Sequence, residues 1–156
     1  MKLRHLLYTL LILPFLFSCN QEDDLEDIFC SGHWYVVNYF HKVDWKKQSG
    51  APQYTPTSAE GNKALEVIQN FSIVFDKEGT FKANVQNSSF EGTWEANGSD
   101  RSIHLHMKSN PNMSSFYNRE FVDYLNTFAM DYQGDRNVLM IGSKKDHTFV
   151  QFTHRK

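Results

Sequence analysis

From Phe71 to Met107 apolar and polar side chains alternate with period two, broken at regular intervals by Gly, Asn and Asp. Phe71, Ile73 and Phe75 alternate with Ser72, Val74 and Asp76. After Lys77-Glu78-Gly79, Phe81, Ala83 and Val85 alternate with Lys82, Asn84 and Gln86. Phe90, Gly92, Trp94 and Ala96 follow the Asn87-Ser88-Ser89 turn. Ile103, Leu105 and Met107 follow Asn97-Gly98-Ser99-Asp100. This pattern predicts four short strands in a hairpin meander with one apolar face. A sheet of that kind must cover something.

The flanking segments extend the pattern. His33 to Phe40 reads as a first strand, with Trp34, Val36 and Asn38 on one face and Tyr35, Val37 and Tyr39 on the other. Residues 42–70 begin as a long loop containing Pro52 and Pro56, and long loops are uncommon unless functional. Thr57-Ser58-Ala59-Glu60 offers a helix cap, and 64–69 reads as a short helix whose start Gly61 weakens. Ser115 to Met130 is predicted helical, with Phe121, Leu125 and Phe128 on one stripe and Tyr117 and Tyr124 beside it. Tyr132 to Asn137 is polar and reads as a turn at Gly134-Asp135. Val138–Ile141 and Thr148–His154 are the last strands. That makes seven strands, with room for an eighth in the loop at 42–54. The expected fold is mainly β: an antiparallel up-and-down barrel of about eight strands with one or two short helices. A closed barrel of eight strands has no edges and an interior sized for side chains or one small ligand.

The N-terminus differs in kind. Lys2 and Arg4 precede an apolar run from Leu6 to Phe17 and then Ser18, the layout of a signal peptide over 1–18. The run is too short for a membrane-spanning helix, which needs about twenty residues. Leu16-Phe17-Ser18-Cys19 resembles the lipobox of bacterial lipoproteins, although Phe17 is bulkier than is usual at its position. The resemblance implies cleavage before Cys19, acylation of that residue, and a membrane partnership through its lipid. Two or more acyl chains give stable anchoring. Asn20 to Phe29, rich in Glu22, Asp23, Asp24, Glu26 and Asp27, reads with Cys19 as an acidic tether over 19–29, and the domain proper as 30–156. Glu22-Asp23-Asp24 is similar to the export signal of surface lipoproteins of Bacteroidota. That resemblance implies an outer-membrane location on the cell surface, with the periplasmic face as the alternative.

Charge and cysteine content narrow the functions. The whole chain has 16 basic and 18 acidic residues, and loss of Lys2 and Arg4 with the signal makes it more acidic still. Much of the acid sits in the tether, which leaves a nearly neutral domain and no basic stripe for nucleic acid. The chain has 2 cysteines. With Cys19 lipidated, Cys30 has no intramolecular partner and reads as a small buried hydrophobe. Thirteen Phe, 7 Tyr and 3 Trp supply bulky material for a core.

Gly32-His33-Trp34 opens the first strand, Gly79-Thr80-Phe81 and Gly92-Thr93-Trp94 lie in the meander, and Arg155 follows the last strand. Together these resemble the small lipocalin-like domains of bacterial lipoproteins. The resemblance implies that Trp34 plugs one end of the barrel and that Arg155 packs across it, a Trp34–Arg155 lock. It also implies a ligand-binding face, to which Trp34, Trp94 and Tyr54 are assigned.

Candidate chemistry is sparse. His104 and His106, at i and i+2 on one strand, share a face and form the one pair with metal-ligand spacing; no third ligand follows by spacing. Glu91, Asp123, Asp131 and Asp135 are not framed by an acid/base pattern, and no phosphate loop, serine elbow or Cys/His signature occurs. No enzyme activity and no cofactor are expected. Two functions follow. One is a non-catalytic module that binds a small apolar or amphipathic ligand between the sheet and the 42–57 loop. The other is a side-chain-filled barrel that contacts an envelope protein or inhibits an extracellular enzyme.

Overall fold

The computed structural model describes residues 21–155; the signal segment, the lipobox and Cys19 lie outside the described residues. Nine strands form a single antiparallel sheet: β1 (Trp34–Asp44), β2 (Ser49–Pro52), β3 (Ser72–Phe75), β4 (Thr80–Val85), β5 (Ser88–Asn97), β6 (Ser102–Met107), β7 (Asp131–Gly134), β8 (Val138–Ser143) and β9 (Thr148–Thr153). Pairing of β1 with β9 closes β1 and β3–β9 into a ring. The architecture is therefore the expected mainly-β antiparallel barrel. β1 meets β3 at Trp34 and Tyr35, and further along the same edge it meets β2 from Phe40 to Asp44. The loop after β1 thus contributes a short strand that covers what β3 leaves unpaired.

Two expectations are corrected. Residues 131–134 are a strand, β7, where the polar sequence read as a turn; β7 pairs with β8 over its whole length, and the turn begins only at Asp135. The face alternation of the first strand also breaks. The β1–β9 register shifts between Val36 and Asn38, so Trp34 and Val36 point inward, Val37 forms a bulge, and Tyr39 returns to the core. Asn38 instead holds the backbone of Tyr54, donating to its carbonyl at 2.7 Å and accepting from its amide at 3.3 Å.

Among the described residues there are also three helices: α1 (Gln21–Phe29), α2 (Ala59–Ile68) and α3 (Phe116–Phe128). The Ser58 side chain accepts the Gly61 amide and caps α2. Gly61 is required there, because a Cβ would lie 2.0 Å from the Thr55 carbonyl oxygen. The acidic segment is not a free tether. A nine-residue helix is unstable alone, but α1 ends in Phe29, which is fully buried among Phe75, Trp94 and Tyr132 with ring centroids 4.9–5.2 Å away. Glu26 pairs with Lys77 at 2.6 Å and Asp27 pairs with Arg136. These exposed pairs orient α1, and Phe29 supplies the stabilisation.

The register sets the two ends. Trp34, Phe75 and Thr153 lie toward the base, which α1 closes. The α2 and α3 connections lie at the opposite mouth, where α3 packs on α2 and β8. The predicted stripe of α3 faces in: Phe121 is fully buried, and Val122, Tyr124 and Leu125 join the same core. Gly92 leaves room for the Phe81 ring on β4. A Cβ there would meet the Phe81 ring at 2.6 Å.

Candidate functional site

The barrel interior is filled. Phe121 enters from the mouth and lies 5.6 Å from Phe71, 6.2 Å from Phe90 and 6.4 Å from Phe152 between ring centroids. Phe81 bridges Phe75 and Phe90, each at 6.2 Å. Trp34 is fully buried at the base and its Nε1–H donates to the Phe29 carbonyl at 3.1 Å. Trp94 also touches Phe29, and its Nε1–H donates to the Asp76 carbonyl at 3.0 Å. Both indoles are thus packed and paired. Tyr54, the third residue assigned to a ligand face, lies at the mouth, so the three do not line one cavity.

The aromatic lock at the base differs from the expected one. The ring stacked on Trp34 is the imidazole of His154, 4.0 Å away between centroids. The Arg155 guanidinium lies 4.3 Å over the ring of Tyr35 instead and donates to the Gln69 carbonyl and to Asn70 Oδ1. The reason is alternation: consecutive residues of an extended chain point to opposite faces. Phe152 and His154 face inward, so Arg155 meets the outward-facing Tyr35.

The mouth carries a polar chain. Tyr54 Oη lies 2.8 Å from both carboxylate oxygens of Glu120 on α3, Gln53 Nε2 donates to Glu120 Oε1 at 2.5 Å, and His41 Nε2 lies 2.8 Å from Gln53 Oε1. Burial pushes the Glu120 carboxyl above its ordinary range and the Tyr54 hydroxyl well above its own. Deeper, Tyr124 Oη lies 3.0 Å from Thr148 Oγ1, which itself donates to the Phe40 carbonyl at 2.8 Å. The fully buried Tyr39 hydroxyl has no hydrogen-bond partner among the described residues. This polar network ties Glu120 on α3 to β1 and to the segment that follows β2.

A large cleft formed by described residues lies outside the barrel. Its volume is about 740 Å³, and it is lined by Val43, Asp44, Trp45, Lys46, Arg101, Gln133, Lys144 and His147. A second small core forms its floor: Val43, Trp45, Met140 and Phe149, with Phe40 against them, cover the outer face of β1, β9 and β8. Trp45 meets Phe149 edge-on at 5.6 Å. Two left-handed turn residues, Arg101 and His147, stand at its rim. The acids there are already engaged. Asp44 accepts the Lys46 and Lys47 amides, which hold its carboxyl below the ordinary range, and Asp131 takes both the Lys144 amide at 2.8 Å and its ammonium at 3.0 Å. Sequence reading missed this site. The one local signal was Val43-Asp44-Trp45, which continues the period-two pattern of β1 past Phe40. Arg101, Lys144 and His147 carry no such signal, since they sit in turns, Arg101 between β5 and β6 and the other two between β8 and β9.

The remaining candidates stand apart from it. His104 and His106 share the exposed outer face of β6. No group of three or more His, Cys, Asp or Glu placed to hold a metal occurs among the described residues. Cys30 is half-buried at the end of α1, and burial raises its thiol pKa. Two smaller clefts, of about 400 and 210 Å³, lie on the outer meander and beside α2.

A protein-family profile described as a domain of unknown function (DUF4847) matches residues 20–154. A crystal structure of a DUF4847-family protein from Bacteroides vulgatus ATCC 8482 is similar at 41% identity with a TM-score of 0.78, covering 85% of this chain and 98% of that one. No curated protein matches. The aromatic-filled barrel described above therefore belongs to a member of the DUF4847 family.

Proposed function

We propose that this DUF4847 protein is a lipid-anchored, non-catalytic binding module of the outer membrane, displayed on the cell surface, that takes a small amphipathic ligand on its outer wall. The observation that carries the reading is the filled interior. With Phe121, Phe29 and Trp34 packed inside, the barrel leaves recognition to its exterior, and the 740 Å³ cleft has the size and the apolar floor of a small-molecule site. Anchoring rests on the lipobox at Cys19, and display on Glu22-Asp23-Asp24. Because α1 begins two residues after Cys19 and docks into the base, an anchored chain turns its base to the membrane and its α2–α3 end outward.

A second reading, a protein-interaction or inhibitor module, is favoured by one observation: Phe116 and Met130, just at the two ends of α3, are exposed. Native mass spectrometry of the protein extracted from its own membranes in mild detergent separates the two, with a denatured control. A small added mass lost on denaturation supports the binding module. Co-extraction of a stoichiometric protein supports the second reading. Neither mass rejects both. Cys19→Ala is expected to move the protein from the membrane to the soluble fraction, and unchanged fractionation rejects the anchor.

A further inference from the structure

We infer that the outer cleft is a receptor for small organic oxyanions: a carboxylate, sulfate or phosphate group carried on a flat apolar body. The inference rests on the binding-module reading and adds the ligand's chemistry.

Charge selects the sign. Lys46, Arg101 and Lys144 line the cleft against a single carboxylate, Asp44. That carboxylate is occupied by the Lys46 and Lys47 amides and by the Lys47 ammonium at 3.5 Å, and Lys144 is occupied by Asp131. The Arg101 guanidinium and the Lys46 ammonium have no acceptor among the described residues. Both are exposed at the rim. The cleft therefore offers more charged donors than acceptors, which are Asp44 and the Gln133 amide oxygen. The excess of cationic side chains disfavours a cation and gives a neutral polyol no charged partner to match. An oxyanion meets a surplus of charged donors, and arginine in particular suits the planar pair of oxygens.

The floor supplies a second, independent observation. Trp45 is only 9% exposed, and its Nε1–H has no hydrogen-bond partner. Trp34 and Trp94 each donate to a backbone carbonyl, so Trp45 is the one indole of the chain left without an acceptor. A buried donor without an acceptor is costly, and bulk water does not reach this one. An oxygen brought in by a ligand satisfies it once the exposed residues 46–49 beside it move aside. Val43 and the indole itself provide the flat apolar surface for the rest of the molecule.

The test follows the indole signals by NMR. The detergent-extracted protein, with isotope-labelled tryptophan indoles, is titrated with benzoate, phenyl sulfate and phenyl phosphate, and with benzyl alcohol as the uncharged control. The expected result is a saturable shift of the Trp45 indole proton with the oxyanions, while the Trp34 and Trp94 signals hold still. Arg101→Gln and Lys46→Gln each weaken binding roughly tenfold, the size of one lost charge-assisted hydrogen bond, with unchanged melting temperatures. The tightest of the three probes names the anionic group. An unmoved Trp45 signal, equal binding of benzyl alcohol, or wild-type affinity in both variants overturns the proposal. A ligand mass in the native spectrum beside an unmoved Trp45 signal rejects this cleft chemistry and leaves the binding-module reading standing.

Discussion

The imidazole of His154 lies on the buried indole of Trp34, 4.0 Å between ring centroids, and its two nitrogens reach Ser31 Oγ at 3.0 Å and the His33 carbonyl at 2.8 Å. One side chain at the end of β9 thereby fixes the joint between α1 and β1. Arg155, one residue later, is on the outside. His154→Ala is expected to destabilise the fold by about 1–3 kcal/mol through lost packing and hydrogen bonds. Arg155→Ala removes an exposed cation–π contact worth roughly 0.5–1 kcal/mol. Urea denaturation of the two variants checks the order; a larger loss for Arg155→Ala contradicts the arrangement.

Phe121→Ala should open the interior that Phe121 now fills. Removal of a fully buried phenyl ring costs about 3–5 kcal/mol where the surroundings cannot collapse. Phe71, Phe90 and Phe152 belong to separate elements, so the lumen is expected to persist. The variant should then bind a small apolar molecule such as benzene, which the native protein does not accommodate inside. Thermal shift with and without benzene tests this, and stabilisation of the native protein by benzene counts against a filled barrel.

Glu120 makes stability depend on pH. Burial raises its folded-state pKa above the ordinary glutamate value. Between those two values the folded chain holds a proton that the unfolded chain has released. The unfolded state binds fewer protons there, so stability falls as pH rises through that window and levels off above it. Glu120→Gln removes this contribution. The difference in urea midpoint between native protein and variant is expected to change across the window just above the ordinary glutamate pKa and to be flat at higher pH. A difference that grows in the opposite sense rejects the burial of Glu120 at the mouth.

Much of the fold was legible in local pattern. Period-two alternation located β3 to β6, because a strand with one wet face must show it in sequence. The i, i+4, i+7 stripe of Phe121, Leu125 and Phe128 located α3 for the corresponding helical reason. The amphipathic acids before Cys30 did not reveal that Phe29 would plug the base, since a residue's burial depends on which strands surround it. Nor did the polar run at Asp131–Gly134 reveal β7; its strand character comes from pairing with β8, a non-local ladder with no apolar signature of its own.

The sequence by itself determined the element types, the sheet's one-sided apolar character and the aromatic supply for a core, all of which follow from short-range periodicity and composition. Only the tertiary structure decided how the rings were spent. A bulge at Val37, a glycine under Phe81 and the closure of β1 on β9 packed them into a solid interior. The same closure carried Trp45, Arg101 and Lys144 from three separate turns to one outer cleft. Strand tilt and ring closure join residues far apart along the chain, and no window of local sequence records which turns a closed barrel will bring together.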